Sequence, residues 1–204
     1  MINGHGDDLY KYNVEVKSNF SSNIYSHADL SGLKKHLSGR MDVIGSYPEP
    51  EPYSLEKALA EECGIEANEI MVTNGATEAI YLAARLTNEK LAGSGINLIS
   101  MPTFSEYADA CRMAGGKTMS SESGYIGKAT HWMCNPNNPT GTVISGKELL
   151  NIAAESKNDI FVIDQSYEHY TTLKLISDRE GADAGNIILI HSMTKQFCIP
   201  GLRL

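Results

Sequence analysis

Short apolar runs stand at residues 70–73, 97–100, 131–134, 160–163 and 187–190 of this chain. Between most of them lie segments with helical spacing, at 77–86, 106–114 and 146–156. Runs that stay apolar, without alternation, suit strands buried on both faces, and the segments between them suit crossover helices. The pattern predicts an α/β fold, a mostly parallel sheet covered by helices on both faces.

Upstream the pattern differs. Residues 1–30 are polar and irregular and read as an arm, with 31–204 as one domain. Leu30, Leu33 and Leu37 carry helical spacing. Tyr47-Pro48-Glu49-Pro50-Glu51-Pro52 is expected to be extended, because each proline fixes its own φ and disfavours helix in the residue before it. Ser54 suits the cap of a helix whose Leu55, Ala58, Leu59 and Cys63 share a face.

Composition narrows the function classes. The 204 residues are 42% hydrophobic and 21% charged, enough apolar material for a sizeable core. A net charge of −8 argues against nucleic acid or an anionic membrane surface as a partner. No run reaches the roughly 18 apolar residues that span a bilayer. The start, Met1-Ile2-Asn3-Gly4-His5-Gly6-Asp7-Asp8, reads as neither secretory signal nor transit peptide. Four scattered cysteines without a CxxC pair suit reduced thiols in the cytoplasm, so the glycosylation pattern Asn19-Phe20-Ser21 reads as accidental. His5, Asp7 and Asp8 have metal-ligand chemistry, but on a glycine-rich tail they read as solvated, and no metal is expected. Neither a phosphate loop ending in Gly-Lys-Ser/Thr nor a dinucleotide fingerprint is present.

The polar residues that follow each run carry the chemistry. They are Asn74-Gly75-Ala76-Thr77, Met101-Pro102-Thr103-Phe104, Asn135-Pro136-Asn137-Asn138-Pro139-Thr140-Gly141, Asp164-Gln165-Ser166-Tyr167 and His191-Ser192-Met193-Thr194-Lys195. In a parallel sheet all five lie at the carboxyl edge, where open α/β sheets bind ligands. Gly75 lets a backbone approach closely, and the helix opening at Ala76 and Thr77 offers free amides and a positive dipole end to a phosphate. Ser192 and Arg203 are further phosphate donors. Asp164, ending a buried run, needs a cation, and a protonated pyridine nitrogen would serve. Lys195 offers an amine for a carbonyl. Phosphate, pyridinium and aldehyde together describe pyridoxal 5′-phosphate. Singly, each has a plainer reading: Lys195 a solvated lysine, residues 135–141 a turn, Thr77 a helix cap, Tyr167 and Phe104 packing.

With Tyr47-Pro48-Glu49-Pro50 and the stretch from Lys195 to Pro200-Gly201-Leu202-Arg203, these motifs resemble the fold-type I pyridoxal-phosphate enzymes of the class I/II aminotransferase superfamily. The fold this implies is the large domain of the aspartate aminotransferase-like fold. The resemblance is to the branch of histidinol-phosphate aminotransferase and threonine-phosphate decarboxylase. His5-Gly6-Asp7-Asp8 and Asn19-Phe20-Ser21-Ser22-Asn23-Ile24 are similar to the decarboxylase's arm, with Asp7 for its second glycine and Asn19 for its aspartate.

The resemblance implies that Lys195 carries the cofactor covalently and shuttles the α-proton, and that Asp164 holds the pyridine nitrogen. By the same resemblance Tyr167 and Asn138 hold the ring oxygen, and Phe104 stacks on the ring with Tyr107 a second candidate. Ala76, Thr77, Ser192 and Arg203 form the phosphate cup. Tyr47 reaches a neighbouring subunit's site, which implies a homodimer with shared active sites. His5 and Asn23 are candidate substrate contacts. The implied activity is amino-group transfer on an amino acid or amino-acid-derived phosphate ester, with decarboxylation by the same cofactor as the alternative. Family members continue into a small C-terminal domain that grips the substrate carboxylate. That domain is expected to be missing here, leaving a chain that binds cofactor without turnover, or a non-catalytic dimerisation fragment.

Overall fold

The computed structural model describes residues 9–25, 27–91 and 95–202. The chain divides into two compact units, Tyr25–Val72 and a second unit of Thr73–Leu204 with the segment ending at Ile24.

In the first unit, α1 covers Ser31–Ser38 and α2 covers Tyr53–Cys63. The cap position of α2 falls to Pro52 and not to Ser54. The reason is local: the Ser54 hydroxyl and amide both donate to the Glu49 carboxylate, at 2.8 and 3.1 Å, so that hydroxyl is engaged upstream. Gly64 ends α2 with a φ of 70°, a left-handed turn that favours glycine. The apolar run at 70–73 forms no strand. Met71 is exposed, and the Val72 amide donates to the Glu56 carboxylate at 3.0 Å in place of a strand partner.

The second unit is built on five parallel strands. In chain order its elements are α3 (Ala76–Lys90), β1 (Ile96–Ile99), α4 (Glu106–Met113), β2 (Lys117–Ser120), β3 (Ala129–Cys134), α5 (Gly146–Glu155), β4 (Ile160–Asp164), α6 (Asp178–Ala184), β5 (Ile187–Ile190) and α7 (Met193–Gln196). The sheet order is β2-β1-β3-β4-β5 and every pairing is parallel. The α/β expectation therefore holds. β2, a polar and mostly exposed Lys-Thr-Met-Ser, carries no apolar run and was invisible to the pattern.

Side chains alternate across a strand, and β4 shows what that decides. Phe161 and Ile163 face a core with Leu149, Ala153 and Ile176. Val162 faces the opposite core, with Ile80, Tyr107, Trp132 and Ile190. Asp164 follows Val162 by two residues and takes the second face, beneath α4. The register sets Cys134, Asp164 and Ile190 side by side at the carboxyl edge.

The strand order reverses between β1 and β3. From β1 the chain moves outward to β2; from β3 it moves the other way to β4 and β5. Right-handed crossovers then put α4 and α5 on opposite faces, and a crevice opens at the carboxyl ends of β1 and β3. Phe104 follows β1 and Asn138 follows β3, so both stand at that point.

α5 enters against the backbone at Leu175 and Ile176, where a Cβ on Gly146 would lie 2.6 Å from the Ile176 nitrogen. Gly146→Ala is expected to destabilise the fold by about 1–3 kcal/mol, read as a lower urea midpoint. No helix among the described residues is long and apolar enough to cross a membrane.

Candidate active site

Asp164 anchors the site. It is 4% exposed. Its Oδ1 accepts from the Ser166 amide at 2.8 Å and its Oδ2 from the Tyr107 hydroxyl at 2.7 Å. No cation among the described residues pairs with it. Neutral donors offset only part of the cost of burying a carboxylate, so the geometry favours a positively charged ligand atom here. Burial pushes the Tyr107 phenol well above its ordinary pKa, with the charge of Asp164 adding to the effect, so the hydroxyl stays a donor. Tyr107→Phe leaves one carboxylate oxygen without its donor. The variant is expected to lose about 1–3 kcal/mol of stability in urea unfolding.

Phe104 is half-buried and meets the Tyr107 ring edge-on, with centroids 5.8 Å apart and planes at 83°. The structure thus separates the two stacking candidates. Tyr107 is committed to Asp164 and the core, while Phe104 stands nearer the surface.

Lys195 lies on α7, immediately beyond β5. Its Nζ is 5.5 Å from the centre of the Tyr167 ring. The Tyr167 hydroxyl accepts from the Asn23 side-chain amide at 3.1 Å, so the arm reaches this edge. Burial raises the Tyr167 pKa, the Asn23 hydrogen bond pulls it partly back, and the charges of Cys134 and Asp164 raise it further.

Gly75 precedes α3 with a φ of 81°, a conformation open to glycine. Its carbonyl accepts from Glu78 and Ala79, which leaves the amides of Ala76 and Thr77 without an acceptor among the described residues. The Glu78 carboxylate accepts from the Asn74 amide beside them. Ser192 is buried at the cap position of α7, and its hydroxyl makes no cap bond.

The loop at 135–141 divides its amides between two tasks. Asn135 grips Ile144, donating to its carbonyl and accepting from its amide, both at 2.8 Å. Asn137 donates to the Pro102 carbonyl at 2.9 Å and accepts from Thr103 at 2.8 Å, tying the ends of β3 and β1 together. The Asn138 side chain has no hydrogen-bond partner among the described residues and is half-buried. Two of the three amides brace the turn; the third is available to a ligand.

Every described candidate of this unit stands at the carboxyl edge: Gly75, Ala76, Thr77, Phe104, Asn138, Asp164, Tyr167, Ser192 and Lys195. Arg203, His5, Asp7 and Asp8 lie outside the described residues. Tyr47 belongs to the first unit and is fully exposed there. No group of three metal-ligating side chains occurs among the described residues.

His191 had no assigned part in the sequence reading. Its Nδ1 lies 2.9 Å from Glu168 Oε1 and its Nε2 3.0 Å from Asp178 Oδ1. Burial works against its charged form, but the hydrogen bonds and charges of Asp178 and Glu168 outweigh it, and its pKa is raised from 6.5 to about 10. A raised folded pKa means stability that is full below pH 6.5 and lost as pH climbs through about 10. The urea-midpoint gap between the unaltered chain and His191→Gln is expected to shrink steadily over that window.

Comparison with known proteins places this geometry. The family model for aminotransferase class I and II matches residues 15–204. The bifunctional adenosylcobalamin biosynthesis protein CobDQ of Leptospira interrogans is 29% identical over 98% of this chain and 25% of its own length. The L-threonine-O-3-phosphate decarboxylase of Porphyromonas gingivalis superposes with a TM-score of 0.82 at 32% identity, over 89% of this chain and 57% of its own. The histidinol-phosphate aminotransferase of Sinorhizobium meliloti, solved with pyridoxal-5′-phosphate, superposes with a TM-score of 0.74 at 17% identity, over 89% and 53%. The chain spans a quarter of the first relative and little more than half of the other two. With the family model covering nearly its whole length, the chain belongs to the class I and II aminotransferase family.

Proposed function

We propose that the chain is the cofactor-binding part of a pyridoxal-phosphate-dependent aminotransferase acting on an amino acid or amino-acid-derived phosphate ester, similar to histidinol-phosphate aminotransferase. The observation that carries this is Asp164, a buried carboxylate with two neutral donors and no described cation, one strand away from Lys195.

The residues fit the cofactor chemically. Asp164 suits its pyridine nitrogen, and Tyr167 and Asn138 its ring oxygen. Phe104 suits the ring face. Gly75 gives access to the free amides of Ala76 and Thr77, which with the hydroxyls of Thr77 and Ser192, and with Arg203, suit its phosphate. When bound, the group supplies a sink for electrons at the substrate's α carbon. Lys195 would hold the group through its amine and would move a proton at the substrate's α carbon.

The wider reading takes residues 1–30 as an arm and 31–204 as the cofactor-binding large domain. It takes the enzyme as a cytoplasmic homodimer in which exposed Tyr47 reaches the partner's site. Four free cysteines support a reducing compartment. Decarboxylation of an amino-acid phosphate is the second reading, favoured by the 32% identity to the Porphyromonas enzyme.

The test is to titrate the chain with pyridoxal 5′-phosphate, fix the adduct with borohydride and map it. A bound-cofactor absorbance band and a label on Lys195 are expected; a label scattered over surface lysines overturns the reading. With a full-length protein, a new oxo product from histidinol phosphate and an oxo-acid acceptor marks transfer. Carbon dioxide from threonine phosphate marks decarboxylation.

A further inference from the structure

Lys195 sits on a helix of four residues, Met193–Gln196. So short a helix has almost no stability of its own, because its nucleus is never repaid by propagation. Something outside it must fix its direction. The Ser192 carbonyl accepts from the amides of Lys195 and Gln196, at 3.2 and 3.4 Å, and the Met193 and Thr194 carbonyls accept from the amides of Phe197 and Ile199, at 2.9 and 3.1 Å. The residue before Ser192 is His191.

The imidazole of His191 meets acids from two other segments. Glu168 follows Tyr167 directly, in a turn closed by the Glu168 amide on the Gln165 carbonyl at 2.9 Å. Asp178 opens α6, which a reciprocal bond between Ser177 and Glu180 caps. Glu168 also lies 3.5 Å from His169, a weaker and more exposed contact. One ring therefore binds the turn after β4, the start of α6 and the turn after β5. The first of these turns carries Tyr167 and the last carries Lys195. At 28% side-chain exposure the ring is largely shielded, which strengthens both charged contacts.

We propose that His191 is a positioning residue, a clamp that sets the turn bearing Lys195 against the turn bearing Tyr167. It touches neither cofactor nor substrate. It acts by fixing where Lys195 Nζ lies, and so how readily that amine bonds to the aldehyde of pyridoxal 5′-phosphate with loss of water. This rests on the functional reading above.

The experiment uses the full chain, its His191→Gln and His191→Arg variants, and Leu149→Val. Leu149 is a buried residue of α5 whose core also holds Ile163, Ile176 and Leu189; it is no part of the His191 ion pairs and controls for lost stability alone. Each protein is checked for its fold by circular dichroism and rapidly mixed with pyridoxal 5′-phosphate. The rate at which the bound-cofactor band appears is then read, along with the pH midpoint of that band. His191→Gln is expected to slow the bond to Lys195 by about a hundredfold, the scale of an ångström's misplacement, and to shift the pH midpoint. His191→Arg, a permanent cation able to take both acids, is expected to recover most of the rate, and Leu149→Val to keep it. A His191→Gln rate equal to the unaltered chain overturns the clamp, as does arginine performing no better than glutamine, or Leu149→Val slowing equally. Failure of the unaltered chain to form the band overturns the cofactor reading and this inference with it. A normal band with an indifferent His191→Gln overturns the clamp alone.

Discussion

Lys195→Ala is expected to abolish the borohydride-fixed label and the absorbance band, while cofactor is still retained without a covalent bond. The amine supplies the bond and the proton transfer, and alanine removes both. Asp164 on β4 and the amides of Ala76 and Thr77 on α3 stand on other elements and are untouched. In a full-length enzyme turnover should fall by at least about ten-thousandfold, the upper range for a lost acid–base group compounded by the lost anchor. Lys195→Arg sharpens the result, since it keeps a charge near the Tyr167 ring but offers no nucleophilic amine, and should be as inactive as alanine. Peptide mass spectrometry after borohydride reads both variants. A label persisting in Lys195→Ala means that another lysine is the anchor.

Asp164→Asn should separate function from stability. The amide keeps the shape and can accept from Ser166 while donating to the Tyr107 oxygen, so unfolding free energy should stay within about 1 kcal/mol. The negative charge is gone, however, and with it the partner for a protonated ring nitrogen. Cofactor affinity and chemical rate should drop by about a hundred- to a thousandfold, the range seen when one preorganised electrostatic contact is removed. Equilibrium titration with pyridoxal 5′-phosphate beside urea unfolding measures the two effects in one preparation. Equal affinity in the variant would dissociate Asp164 from the ring nitrogen.

Why some of this was readable and some not has a physical cause. Strands β1, β3 and β4 lie inside the sheet and are largely buried, and β5 at its far edge is partly covered; such burial demands apolar runs that a sequence displays. β2 lies at the sheet edge, where water covers one side and no such demand exists. The run at 70–73 has the composition of a strand but no neighbouring strand, so composition misled. The polar residues at 74–77 follow no strand and lead into α3 instead, but those that close β1, β3, β4 and β5 were readable as a group, because parallel topology carries them to one edge. Their partners were not. Tyr107 and Asp164 are 57 residues apart, and His191 and Glu168 are 23 apart. Tertiary pairs at such separations follow no period. The division of labour in the loop at 135–141 was equally hidden, since three asparagines look alike until Asn135 and Asn137 are seen to be occupied.

The bond from Asn23 to Tyr167 spans 144 positions. During synthesis, then, the arm leaves the ribosome long before the tyrosine that receives it exists. Until β4 has been made and paired, nothing at the sheet edge can hold Asn23, and this early segment must wait, solvated and open to proteases, for a late one.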